Sequence, residues 1–136
     1  MAKLSAFKTN SDAINQGEWV RPGEEYDDLE VRVRGFTDAY YDAQAAKLRR
    51  AAVPFGGDIS KIPSALRRQI NVDCLNAHVV LDVRNLKGDD GKDIKVDQFR
   101  ELLRDPDYAE LVIAVYKAAG RVGQQRAADL EDAAGN

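Results

Sequence analysis

Cys74 and His78 are the only cysteine and the only histidine in the chain, and they stand four residues apart. On a helix that spacing puts both side chains on one face. Two chemistries suit such a pair: zinc ligation, or a thiolate activated by an imidazole. Zinc needs further soft or imidazole ligands, and the chain has none to add. A Cys–His nucleophile needs a cleft and a third group to orient the imidazole, and an apolar stripe surrounds the pair instead. Asp89, Asp90, Asp93 and Asp97 form an acidic cluster around Gly91. A calcium loop with Gly91 at its sixth position would have Leu86 and Gly88 where acids belong, so the pattern fails. Glu24, Glu25, Asp27 and Asp28 are sequence neighbours that do not converge across a cleft as glycoside chemistry requires. No phosphate-binding glycine loop, nucleophile elbow or zinc-protease motif occurs. The inventory favours a protein that is not an enzyme, with no metal and no cofactor expected.

Charge is uneven along the chain. The 136 residues carry a formal net charge of −3. Residues 18–34 hold six acids and three bases, and residues 88–110 hold eight acids and four bases. Between them, residues 37–70 hold six bases and three acids, with paired arginines at Arg49-Arg50 and Arg67-Arg68. A nucleic-acid binder is usually basic over a whole domain, because phosphate contacts dominate its affinity. The arginine pairs flank a long break, AAVPFGGDISKIP, which does not suit a helix-turn-helix. Nucleic acid is therefore not an expected partner, although a small DNA-binding regulator stays as a distant alternative.

The elements that position these residues follow from periodicity. Hydrophobic residues make up 44% and charged residues 32%, as in a soluble globular domain. No apolar run approaches a membrane span and no signal-peptide core opens the chain. With its lone cysteine, the chain is expected to be soluble and intracellular. Residues 1–17 show no period and read as a flexible arm. Residues 18–120 read as one α+β domain, and 121–136 as a weakly helical or disordered extension. A hairpin is expected around Trp19-Val20 and the alternating run Leu29, Val31, Val33, with Pro22-Gly23 at the turn. Trp19 is expected to clamp this hairpin to the helices. Thr37 is the candidate cap of a helix ended by Pro54 and Gly56-Gly57. A long helix is expected from about Lys61 to Leu86, stopped by Gly88. A short extended piece then holds Ile94 and Val96, Asp97 caps a short helix, and Asp105-Pro106 restarts the last one. The fold expected is a small N-terminal β-hairpin or sheet packed on about four helices.

Several of these pieces occur in an order that resembles one family. They are Trp19-Val20, Val31-Arg32-Val33-Arg34-Gly35, Ala77-His78-Val79-Val80-Leu81-Asp82-Val83, Asp89-Asp90-Gly91-Lys92 and Leu111-Val112-Ile113-Ala114-Val115 through Gly120. Together they resemble the tail assembly chaperones of bacteriophages with long non-contractile tails, and of related gene-transfer particles. The chain departs from that pattern at Asp93-Ile94-Lys95, where a proline and an apolar pair are usual. The resemblance implies a non-enzymatic assembly factor of the host bacterial cytoplasm. It would hold the tape-measure protein soluble and help recruit tail tube protein. The alternative is a structural virion component, such as a small head-tail connector or tail terminator.

A chaperone of this kind needs an apolar groove with charged rims. The residues expected to bind the partner are Tyr40, Tyr41, Tyr108, Leu111, Val115 and Tyr116, since aromatics give large contacts at low entropy cost. Arg34 is a candidate contact charge. Val79 and Val83 are candidates for a seam between copies in a homo-oligomer.

Overall fold

The computed structural model describes residues 1–123. A three-stranded antiparallel sheet of order β1-β2-β3 packs against a body of five helices. The strands are β1 (Glu18–Val20), β2 (Glu30–Val33) and β3 (Val80–Arg84). The helices are α1 (Ser11–Gln16), α2 (Asp38–Ala52), α3 (Ser64–His78), α4 (Val96–Arg104) and α5 (Ala109–Arg121). The expected α+β class is thus the observed one. Among the described residues no helix is long and apolar enough to cross a membrane.

The hairpin forms where alternation places it. Val20 pairs with Val31 and Glu18 with Val33, and Leu29, Val31 and Val33 are all buried. Trp19 falls on the opposite face of the sheet, where the Arg84 guanidinium lies 4.1 Å from its ring centroid and also bonds Glu30 at 2.9 Å. It therefore rests against a cation rather than clamping the hairpin to the helices. The acidic connection after β1 is held by α5. Lys117 Nζ donates to Glu25 at 2.7 Å, and Arg121 donates to the Arg21 carbonyl at 2.9 Å.

The third strand was not foreseen. The helix expected through Leu86 stops at His78, and the chain continues as β3. Val79, Val80 and Val83 are β-branched, which disfavours helix and suits a pleated surface. Register with β2 runs Val31 to Val83, Arg32 to Asp82 and Val33 to Val80, so Leu81 is an extra residue in β3. That bulge is why Val80 and Val83, three positions apart, both face the core.

The reading of residues 1–17 as a flexible arm omits α1. The Asn10 side chain accepts the Ala13 N–H at 3.1 Å and caps the helix, Ala13 is buried, and the Gly35 N–H donates to the Ile14 carbonyl at 2.9 Å. Gly17 ends α1 at φ +86, and a β-carbon there would come within 2.6 Å of Leu81. Of the expected extension 121–136, residues 124–136 lie outside the described residues.

Other local signals behave as their chemistry dictates. Thr37 caps α2 by accepting the Tyr40 N–H at 3.3 Å, and Asp105 accepts the Asp107 N–H at 3.0 Å. Asp97, expected as a cap, instead lies in the first turn of α4 and faces Arg100 at 3.6 Å. Ile94 forms no strand; its N–H donates to the Leu86 carbonyl beside a single Lys87–Asp93 bridge. The core beneath the sheet is built around Phe99, Leu75, Leu103, Val115 and Cys74, all essentially inaccessible.

Candidate functional site

A groove of about 460 Å³ lies between α3, α4 and α5. Its first wall is the α3 face bearing Ala65, Arg68, Gln69 and Val72, an i, i+3, i+4, i+7 set on one side of the helix. Ala109, Val112 and Ile113 of α5 form the second wall, and the Asp105-Pro106 turn closes one end. Val72 and Leu103 are buried at the floor, whereas Ile113 keeps 44% of its surface exposed at the lip. Ala65 and Ala109 are small, which keeps the mouth between the helices open. This is an apolar trough with three charged residues along it: Arg68, Arg104 and Asp105.

These charges are not equivalent. Arg104 lies 3.6 Å from Asp73 of α3, and the Asp105 carboxylate is occupied by the Asp107 N–H. Arg68 is exposed, and among the described residues no carboxylate lies within ion-pair distance of it.

Three of the expected partner-binding residues do come together, but elsewhere. Tyr40, Tyr41 and Tyr116 cluster with Phe36. The Phe36 ring centroid lies 5.2 Å from that of Tyr40, 6.3 Å from Tyr41 and 6.0 Å from Tyr116. Tyr40 is 2% exposed, so it is core and not open surface. Its burial, reinforced by the nearby Tyr116 phenol, pushes its own phenol well above the ordinary tyrosine range. Tyr41 is exposed and Tyr116 half-buried. Val115 is fully buried, and so cannot meet a partner, because it points from α5 into the core. Leu111 is half-buried against that core, and Tyr108 is exposed at the start of α5 without an aromatic neighbour among the described residues. Arg34 is half-buried, and its Nε donates to the Asn15 carbonyl at 3.1 Å.

The proposed oligomer seam is also corrected. Val79 is fully buried and Val83 nearly so, because the bulged strand turns both into the subunit's own core. Neither offers a face to a second copy.

The residues that first suggested chemistry sit apart from the groove. Cys74 is buried, and burial pushes its thiol upward, away from the reactive thiolate. Among the described residues no group of three or more His, Cys, Asp or Glu side chains is arranged to hold a metal ion. Asp90 accepts the Lys92 N–H at 3.0 Å and so shapes its turn.

Sequence reasoning missed Ala65, Gln69, Ala109, Val112 and Ile113. The signal was present in Leu111 through Val115, five consecutive apolar residues that no helix can bury on one face. Val115 takes the core side and Ile113 is left over. A comparison with protein-family models, curated proteins and solved structures returns no match to this chain.

Proposed function

We propose that this chain is a non-enzymatic assembly factor that cradles an apolar helical stretch of a larger protein until that protein is incorporated. In keeping with the family it resembles, the partner proposed is the tape-measure protein of a phage tail, with tail tube protein recruited to the complex in the host bacterial cytoplasm. The observation that carries the proposal is the groove between α3, α4 and α5, apolar along its floor and lip and open at the surface. Helical partners are held in such troughs by side chains at i, i+3, i+4 and i+7. A tape measure is long and helical, and its apolar stripes must be covered before the tube forms around it. A shallow groove on a small domain suits reversible cover, since the partner must later be released.

The test is co-expression with the neighbouring tape-measure and tube proteins, followed by affinity purification and light scattering. A soluble complex with a tape-measure protein that aggregates alone supports the reading. A closed ring of this chain alone, retained in mature particles, would replace it with a connector or tail terminator.

A further inference from the structure

The connection between α2 and α3 carries apolar side chains that the fold does not bury. Two single helical turns, Val53–Phe55 and Ile59–Lys61, make this connection, and both pack against α2. Their backbone is fixed. The Gly57 N–H donates to the Ala52 carbonyl at 3.0 Å, and the Arg67 guanidinium of α3 donates to the Ile59 carbonyl at 2.8 Å. Yet every residue from 53 to 61 is exposed, between buried Ala52 and buried Ile62. Val53 keeps 69% of its surface and Ile59 41%, and Phe55 and Leu66 are exposed as well. A β-carbon on Gly56 or Gly57 would meet no atom within 4 Å, so the chain between the two turns projects into solvent. No residue from 49 to 62 lines the groove. Charge at this end is one-sided. Arg49 and Arg50 lie in the last turn of α2, whose Arg50 carbonyl accepts the Val53 N–H, and Lys61 ends the second turn. All three are exposed, and none is in an ion pair among the described residues. The one acid between residues 49 and 67 is Asp58, which accepts from the Ser60 N–H at 3.0 Å and from its hydroxyl at 2.6 Å.

We propose that this projecting end docks on an anionic lipid surface. Val53, Phe55 and Ile59 enter the interface, while Arg49, Arg50 and Lys61 meet lipid phosphates. Charge complementarity calls for an anionic surface, and the shape favours lipid over an acidic protein. Apolar side chains on a projecting turn suit a fluid interface that closes around them. A protein–protein hot spot instead fills a packed pocket. The arginine guanidinium also matches phosphate oxygens two at a time. Three apolar side chains anchor a chain only weakly by themselves. Binding therefore depends on anionic lipid and is reversible, each base strengthening it by about fivefold. The projecting end lies outside the groove, so this surface adds to the proposed helix cradle and does not rest on it.

Sedimentation of the full chain with lipid vesicles tests the proposal. One set is phosphatidylcholine alone, and the other is phosphatidylcholine with an equal part of phosphatidylglycerol. The chain should pellet with the anionic vesicles only, and less of it at high salt. Val53→Asp and Phe55→Asp, with the fold of each variant checked by circular dichroism, should weaken binding by about tenfold. Replacing both Arg49 and Arg50 by Gln should weaken it by about twentyfold. Insertion has its own readout. Brominated phosphatidylcholine in the anionic vesicles should quench Phe55→Trp more strongly than the native chain, whose one tryptophan, Trp19, lies on the sheet. Failure to pellet with either vesicle would overturn the proposal and leave the projecting end to an acidic protein. Equal pelleting with neutral vesicles would overturn it by removing the role of the bases. Binding unmoved by both aspartate variants would overturn it by placing the contact elsewhere, as on the exposed Leu4 and Phe7. Equal quenching of the two chains would overturn it by reducing the contact to adsorption without insertion.

Discussion

At the scale of single residues, chemical type and burial decide what each side chain does. Tyr40 carries a phenol into the core, with the Tyr116 phenol nearby. Removing the hydroxyl in Tyr40→Phe should cost about 1 kcal/mol in urea unfolding near neutral pH. The pH dependence follows from the sign of the shift. The folded state holds the Tyr40 proton more tightly than the unfolded chain does. Its contribution is therefore complete below the ordinary tyrosine value of about 10 and is lost as pH rises beyond it. Stability measured from neutral to strongly alkaline pH should fall less steeply in Tyr40→Phe than in the native chain; parallel curves would contradict this. Val115 gives the contrast. It was expected to meet a partner, but Val115→Ala should leave partner binding intact while costing about 1–3 kcal/mol of stability.

At the scale of elements, the α3–β3 junction separates what the sequence made legible from what it did not. Leu29, Val31 and Val33 announce a strand by strict alternation, and Thr37 announces a helix start by its cap. Residues 72–83 also carry a helical stripe, so the change of period at Val79 is masked by apolar residues on every side. Only the β-branched cluster at Val79, Val80 and Val83 hints at a strand, and the bulge at Leu81 breaks the alternation that would have exposed it. Helix α1 was hidden differently, because six residues with one buried alanine give no period at all. Its boundaries, Asn10 as cap and Gly17 as terminator, were the readable part. Gly17→Ala should destabilise the fold by about 1–2 kcal/mol, because an L residue is strained at φ +86 and its β-carbon meets Leu81. Thermal unfolding measures this, and an unchanged midpoint would mean that α1 does not dock on β3.

At the scale of the whole molecule, three helix ends and a turn create a feature that no single element predicts. The groove needs Ala65 and Ala109 to be small on separate helices, and Ile113 to be surplus to the core. Each is an unremarked residue in its own segment, so the site was illegible until the chain's folding set them together. The aromatic residues favoured at first were drawn mostly into the Phe36 cluster. The central claim is that this trough keeps a helical partner soluble. Its most direct test is the soluble yield of co-expressed tape-measure protein with the native chain against Ile113→Asp, with the variant's fold checked by circular dichroism. The account predicts that the native chain brings the tape-measure protein into solution and that the folded variant leaves most of it aggregated. Equal soluble yield with both chains would contradict it.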